Sequence, residues 1–161
     1  MRVDPQQVSL RVITAETVRA VCALAVAKCQ GGLVAPNAVS LAEALFSPKA
    51  WYRAVYLQES VVGFVMLYDQ SLGEVSAANP KAIVWRFMID ANSQGRGIGR
   101  AALLLVIEHI RSKGLFSVLS LSYVPVLGCA EKFYLALGFK FTGRMEDGEA
   151  ELELLLNQRE V

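Results

Sequence analysis

The chain has 161 residues, of which 54% are hydrophobic and 19% charged, and its mean hydropathy is +0.39. This length predicts one domain covering residues 1–161, and the hydrophobicity excludes intrinsic disorder. The longest apolar runs, Ala20–Ala27 and Ala101–Ile107, are much shorter than the roughly 20 residues that span a bilayer, so no membrane association is expected. Sixteen basic and fifteen acidic residues give a net charge of +1, which excludes the strongly basic balance of a general nucleic-acid-binding protein.

The few cysteines and the single histidine limit which metal sites, disulfides and histidine-based catalysis the chain could have. Cys22, Cys29 and Cys129 are an odd number without C-x-x-C spacing, which favours reduced thiols in the cytoplasm and no metal site. Residues Met1–Pro5 lack the charged start and apolar stretch of a signal peptide. His109 is the single histidine, and its place about three turns into a predicted helix favours a structural role over a catalytic one.

The N-terminal part predicts one strand and two helices. Val8–Ile13 has the apolar and β-branched content of a strand. Thr14 is a candidate N-cap for a helix with apolar residues at helical spacing, which ends at Gly31–Gly32. A second, short helix is predicted over Ser40–Phe46, because Ser40 and Glu43 have the spacing of a capping box.

The remainder alternates between strands and helices. Ala82–Asp90 is nearly all apolar, which predicts a central strand buried on both faces. A glycine-rich turn, Gln94–Gly99, separates it from an apolar helix that ends near Ser112. The other predicted elements are strands at Trp51–Leu57, Val61–Tyr68, Phe116–Tyr123, Phe139–Thr142 and Glu149–Leu156, a helix at Cys129–Leu137, and loops at Gln30–Asn37, Asp69–Lys81 and Gly143–Gly148. The order β-α-α-β-β-β-α-β-α-β-β predicts a mixed α/β (α+β) fold with helices covering a sheet.

The glycine turn carries the strongest chemical signal. Gly95, Gly97 and Gly99 alternate between a strand and a helix, so successive backbone N–H groups and the helix N-terminus can form an anion-binding nest. Arg96 and Arg100 would add positive charge beside bound phosphates. The spacing fits neither the G-x-x-x-x-G-K-[ST] loop nor the G-x-G-x-x-G fingerprint. Taken alone, a tight turn with two solvated arginines remains the alternative.

Two motifs stand out in the second half of the chain, Gln94-Gly-Arg-Gly-Ile-Gly99 and Ala130-Glu-Lys-Phe-Tyr-Leu-Ala-Leu-Gly-Phe139. The first is similar to the acetyl-CoA signature, (Q/R)xxGxG/A, of the GNAT superfamily of acyl-CoA-dependent N-acetyltransferases, and the second resembles that superfamily's second signature, AxxFYxxxGF. The order of elements resembles the superfamily over the whole chain. Trp85–Asp90 and Ser122–Pro125 look like a bacterial branch of spermine/spermidine-type acetyltransferases. The resemblance implies a GNAT-like fold and an acetyl-CoA-dependent N-acetyltransferase.

The resemblance also implies how acetyl-CoA, the co-substrate, would bind. It would lie in a wedge between the Ala82–Asp90 and Phe116–Tyr123 strands, which splay apart. A backbone N–H near Met88 or Ile89 would stabilise the oxyanion, and Tyr134 would be the general acid for the departing thiolate. From helical spacing alone, Tyr134 is instead a core residue. The implied cofactor-binding residues are Phe87, Met88, Ile89, Gln94, Gly95, Arg96, Gly97, Ile98, Gly99 and Arg100.

The general base is left open by the sequence. Asp90, Glu131 and Glu43 are candidates, but Glu131 also suits the first turn of its helix and a capping role is the preferred interpretation of Glu43. A water chain to backbone carbonyls is a further alternative. Cys129, at a predicted helix start, is a candidate acyl carrier, with ordinary packing as the preferred alternative. Leu127 stands where the family often has an asparagine, which would make cofactor binding depend more on the glycine turn.

The acceptor is expected to be a primary amine of a small molecule. A polyamine is one candidate, although Trp85 stands where the best-known polyamine acetyltransferases have a glutamate, and the chain offers no dense acidic patch. An amino acid, an aminoglycoside or a protein N-terminus is an alternative acceptor. A non-catalytic acyl-CoA-binding module is the alternative from another class. No metal, nucleic-acid or membrane partner is expected, and a homodimer is left open.

Overall fold

The computed structural model describes residues 2–73, 78–126 and 130–156. In this part of the chain, seven strands and four α-helices follow one another in the predicted order, accompanied by three short 3₁₀ helices. The elements are β1 (Val8–Arg11), α1 (Val18–Ala23), α2 (Asn37–Ala44), β2 (Ala50–Leu57), β3 (Ser60–Asp69), β4 (Ala82–Ile89), α3 (Ile98–Ser112), β5 (Val118–Tyr123), α4 (Glu131–Leu135), β6 (Lys140–Glu146) and β7 (Glu149–Leu155).

The strands form one mixed sheet in the order β1-β2-β3-β4-β5-β7-β6. Neighbouring strands are antiparallel except β4 and β5, which are parallel and are connected through α3. Because alternate side chains of a strand face opposite sides, Val65 and Leu67 of β3 pack in the layer of α3 and α4, whereas Phe64 and Met66 pack in the layer of α1 and α2. The predicted α/β mixed-sheet class is confirmed.

The strand that is buried on both faces is β3 rather than β4. Residues 62–67 are all buried. In β4, Trp85, Arg86 and Phe87 are only partly buried, so the prediction of a strand covered on both sides is wrong in its middle. An apolar run does not reveal that part of it faces a cleft.

Tertiary hydrogen bonds make the first helix shorter than predicted. α1 ends at Ala23, and Leu24 is already extended. The Ala25 N–H donates to Asp90 Oδ1 (3.1 Å), and the Ala25 carbonyl accepts from the Ala91 N–H (2.8 Å). These two bonds hold the chain after α1 against the end of β4, although its apolar residues keep helical spacing.

The second helix begins three residues earlier than predicted. α2 starts at Asn37, with Pro36 at the N-cap, so Ser40 lies inside the helix. The buried Asn37 amide donates to the Val21 carbonyl (2.9 Å), which fixes α2 against α1. The capping-box interpretation of Ser40 and Glu43 is therefore wrong.

The C-terminal hairpin also differs from the prediction. β6 runs through the first four residues of the predicted loop at Gly143–Gly148. A register shift between Phe141 and Met145 accommodates Gly143, whose φ is +84°. A glycine in a strand can therefore mark a bulge instead of a loop. None of the described helices is long and apolar enough to cross a membrane.

Candidate active site

A break in the pairing between β4 and β5 opens a cleft in the sheet. The two strands pair only over residues 82–84 of β4. The β3–β4 register pairs Met66 with Arg86 and Leu67 with Val84, so Trp85 is an extra residue and forms a β-bulge. A bulge bends its strand and interrupts pairing. Beyond it, residues 87–89 still pair with β3 but have no β5 partner in the described part of the chain.

The free edge of β4 presents backbone groups to this cleft. The Asp90 N–H donates to the Val62 carbonyl of β3 (2.8 Å). Because successive N–H groups of a strand point to opposite sides, the Ile89 N–H points away from β3 and the Met88 N–H points toward it. Of the two predicted oxyanion donors, Ile89 is therefore the one with its N–H on the cleft side.

The glycine turn forms the end of the cleft and begins α3. Gly95 and Gly97 have φ of +73° and +86°, a left-handed backbone that favours glycine. Gly97 is the N-cap of α3 and has no side-chain cap, so the first N–H groups of this 15-residue helix remain available. The Gln94 amide donates to the Ile89 carbonyl (2.9 Å), and the Val3 N–H donates to the Arg96 carbonyl (2.9 Å). These bonds fix the turn from both sides.

The structure brings nearly all of the predicted cofactor-binding residues into one cleft of about 1550 Å³. The exception is Ile98, whose side chain is 1% exposed and packs in the core. Ile98 could contribute only backbone atoms. The predicted residues that line the cleft are Phe87, Met88, Ile89, Gln94, Gly95, Arg96, Gly97, Gly99 and Arg100, together with Tyr134.

Tyr134 reaches the cleft from α4. Its ring is buried against Phe133 and Phe139, with ring centroids at 5.2 and 5.9 Å. Burial raises the pKa of Tyr134 to about 12, so the phenol stays protonated over the physiological range. Among the described residues no hydrogen bond is made to its hydroxyl. Tyr134 belongs to the hydrophobic core, as its helical spacing predicts, and it also lines the cleft.

The cleft is positively charged. Five basic side chains and one acidic side chain of the described residues line it: Arg2, Arg86, Arg96, Arg100, Lys132 and Glu149. Four of these, all except Arg96 and Arg100, were not predicted as site residues. They come from the N-terminus, β4, α4 and β7, and no local motif marks them, because the fold alone brings them together.

The predicted candidates for a general base are placed unfavourably. Both carboxylate oxygens of Asp90 accept backbone N–H groups, from Ala25 and Asn92 (3.1 Å each). Glu131 lies beside a smaller neighbouring pocket and does not line the cleft. Glu43 forms an ion pair with Arg86 (3.2 Å). Glu149 is therefore the one carboxylate among the described residues that line the cleft.

His109 does not line the cleft. The His109 ring stacks on Trp51, with centroids 4.4 Å apart, and its buried Nε2 has no partner among the described residues. Burial, together with nearby Lys113 and Arg53, lowers the pKa of His109. Cys129 and Leu127 lie outside the described residues. No three described His, Cys, Asp or Glu side chains come together as a metal site would require.

The parallel strand pair that separates at a bulge, and the glycine turn at a helix N-terminus, have the arrangement that the resemblance to acyl-CoA-dependent acyltransferases implied. Comparison with known families makes this specific. Residues 33–139 match the Acetyltransferase (GNAT) family. This match covers more than half of the chain, so the protein belongs to that family and is an acetyl-CoA-dependent acetyltransferase.

Individual relatives agree with this assignment. The chain is 27% identical, over 148 residues, to a probable spermine N(1)-acetyltransferase of Bacillus subtilis subsp. natto, with 86% of this chain and 91% of the relative covered. The fold matches the PaiA N-acetyltransferase of Thermoplasma acidophilum in complex with coenzyme A, at a TM-score of 0.68 and 17% identity, covering 92% and 98% of the two chains. It also matches a GNAT acetyltransferase of Elizabethkingia anophelis with acetyl-CoA bound, at a TM-score of 0.64 and 15% identity, covering 93% and 99%.

Proposed function

We propose that the protein transfers the acetyl group of acetyl-CoA to a primary amine of a small molecule by direct attack on the thioester. The observation that carries this proposal is the combination, in one cleft, of the unpaired edge of β4, the glycine turn at the start of α3 and Tyr134. The edge of β4 and the glycine turn offer backbone groups to the pantetheine and the pyrophosphate of acetyl-CoA. The Tyr134 hydroxyl is suited to act at the CoA sulfur.

The cleft supports a defined position for acetyl-CoA. The pyrophosphate would accept hydrogen bonds from the N–H groups of residues 95–100, with Arg96 and Arg100 adding charge. The pantetheine, which carries amide groups, would pair with Phe87 and Ile89 as a short extra strand. Met88 and Gln94 would contribute contacts along this path, Gly99 would let the helix approach closely, and Ile98 would contribute its N–H.

The acetyl transfer needs a free amine, an oxyanion donor and a stabilised leaving thiolate. The neutral amine attacks the carbonyl carbon, a C–N bond forms, and the carbonyl oxygen becomes an oxyanion held by the Ile89 N–H. When the tetrahedral intermediate collapses, the C–S bond breaks and the electron pair leaves on the CoA sulfur. Glu149, the one carboxylate among the described residues that line the cleft, is proposed to remove the amine proton.

The raised pKa of Tyr134 bears on its role at the sulfur. Thiols have a pKa of about 8.5, so complete proton transfer from a phenol with a pKa of about 12 is uphill by roughly 5 kcal/mol. A hydrogen bond from the protonated phenol to the developing thiolate carries no such penalty. Tyr134 is therefore proposed to act as general acid mainly through hydrogen-bond donation.

The acceptor and the location of the enzyme are part of the same proposal. The spermine acetyltransferase similarity makes a polyamine one candidate acceptor. A cytoplasmic location is supported by Cys22 and Cys29, which are free and exposed.

The test combines calorimetry with a turnover assay. Acetyl-CoA should bind the wild-type protein, and thiol release should require an added primary amine. The Gly97→Trp variant, which places an indole at the turn where a Cβ meets open space, should lose binding. Gly114→Trp, at the other end of α3, is the control and should keep it. If acetyl-CoA binds but no amine of a broad panel causes thiol release, the protein is an acyl-CoA-binding module and the proposed transfer is wrong.

A further inference from the structure

One cation in the cleft lies apart from the glycine turn. Arg86 follows the bulge on β4 and lines the cleft, with a side chain that is 22% exposed. Its Nη1 donates to the Trp85 carbonyl (3.0 Å), its Nη2 contacts Glu43 Oε2 (3.2 Å), and its Cζ lies 5.6 Å from the Trp85 ring centroid. These contacts fix the plane of the guanidinium.

The fixed guanidinium is incompletely paired. An arginine offers five N–H donors. The Nε atom of Arg86 is buried and has no hydrogen-bond partner among the described residues. Glu43 engages a single Nη with one oxygen and does not line the cleft. Nη1 and Nη2 each make one hydrogen bond to the described residues, so each keeps a second N–H group for a ligand. A carboxylate is the group whose geometry matches the guanidinium.

The charge distribution argues against a polycation at this position. Arg96 and Arg100 are assigned to the phosphates of acetyl-CoA, at the far end of β4. Arg86 is not needed there, because it precedes Met88 by two residues and lies on the side of α2. A polyamine would have to bring several positive charges next to Arg86, with Glu149 as the one described acidic side chain lining the cleft.

We propose that the acceptor is an amine that also carries a carboxylate, as an amino acid does, and that Arg86 binds this carboxylate. The inference rests on the proposed acetyl transfer, whose acceptor it names by chemical class. Glu43 is then a positioning residue that orients the Arg86 guanidinium, and the fixed guanidinium selects acceptors by charge.

The experiment uses pairs of acceptors that differ only in the carboxylate. Thiol release from acetyl-CoA is measured with lysine against cadaverine, ornithine against putrescine and phenylalanine against phenethylamine, with spermine and spermidine alongside. The wild-type kcat/KM should favour the carboxylated member of at least one pair by about 10- to 100-fold, the range that a charge-assisted hydrogen bond supports. Arg86→Gln should reduce this ratio to near one, mainly through the KM of the amino acid.

A matched control is provided by Arg53 on β2. Its guanidinium makes the same kinds of local contact, to the carbonyl of the preceding Tyr52 (2.7 Å) and over the Trp51 ring (4.6 Å), but it does not line the cleft. Arg53→Gln should keep the wild-type ratio. If Arg86→Gln does not fold, Arg86→Lys is the second variant, because it keeps the positive charge and removes the planar guanidinium donors. It should lower the ratio of kcat/KM values to an intermediate value.

The outcomes separate the inference from the proposed function. Turnover that favours the amines without a carboxylate, or spermine, overturns the inference and leaves acetyl transfer standing. Absence of thiol release with every amine overturns the proposed transfer. In that case calorimetry on the CoA-loaded protein still decides the inference, because lysine should bind more tightly than cadaverine in the wild type and equally in Arg86→Gln. Equal binding in the wild type refutes it.

Discussion

Replacing Tyr134 by phenylalanine tests the chemistry at the sulfur with little disturbance of the fold. The ring contacts with Phe133 and Phe139 remain in Tyr134→Phe, and no hydrogen bond to the hydroxyl is lost among the described residues. The melting temperature should therefore stay within about 2 °C, which corresponds to a stability change of at most about 0.5–1 kcal/mol. The effect should be confined to the transition state, where the hydroxyl donates to the thiolate.

The size of the effect follows from the strength of that bond. A hydrogen bond to a charged group contributes about 1.5–3 kcal/mol, so kcat should fall about 10- to 150-fold. The KM for acetyl-CoA should change less than threefold, because the ground-state thioester sulfur is a weak acceptor. The assay is thiol release at saturating amine and acetyl-CoA, repeated from pH 6 to pH 10.

The pH profile gives a second, independent readout. With a pKa of about 12, Tyr134 keeps its proton throughout this range, so wild type and Tyr134→Phe should differ by a constant factor. Tyr56→Phe is the matched control, since Tyr56 is also buried but contacts Arg11 and lies outside the cleft. An unchanged kcat in Tyr134→Phe, or an equal loss in Tyr56→Phe, would refute the role of the hydroxyl.

Three further predictions concern the turn and the ionisable groups of α3 and β3. Gly97→Ala should cost about 1–2 kcal/mol of strain at its positive φ and raise the KM for acetyl-CoA, whereas Gly114→Ala, also at positive φ, should lower the melting temperature without changing KM. His109 has a lowered pKa, so folding favours its neutral form. The stability that this form contributes is complete above the unfolded pKa of about 6.5 and is lost as the pH falls through the lower folded pKa. In thermal melts, the difference in melting temperature between pH 8 and pH 5 should therefore be smaller in His109→Phe than in the wild type. Lys113→Met should reduce the unfolding free energy in urea by roughly 3–5 kcal/mol, because it removes the cationic partner of the buried Asp69; a loss below 1 kcal/mol would contradict this account.

The sequence predicted the parts of the fold that local chemistry determines. Three alternating glycines between a strand and a helix correctly indicated the turn, since Gly95 and Gly97 need positive φ. The α3 helix, Ile98–Ser112, ends where it was predicted to end. Strand order along the chain was also predictable, because each strand has its own apolar or β-branched run. These features depend on residues close together in the sequence.

The errors arose where distant residues decide the local structure. Helical spacing continues beyond Ala23, but the hydrogen bonds of Ala25 with Asp90 and Ala91 end α1 there. Ser40 and Glu43 have capping-box spacing, but the Asn37 amide bonds to α1 and starts the helix earlier. Glu43 is then available for Arg86, a contact across 43 residues that no local pattern encodes.

The bulge at Trp85 connects the fold to the chemistry. In a regular strand, adjacent residues face opposite sides, yet Trp85 packs in the layer of α1 and α2 and the next residue, Arg86, reaches Glu43 on α2. The extra residue therefore turns two consecutive side chains to the same face. It also marks the point beyond which β4 and β5 no longer pair, which frees the edge at Phe87 and Ile89. One inserted residue thus opens the proposed co-substrate site and places a guanidinium beside it, which explains why binding and acceptor selection should respond together to changes at this bulge.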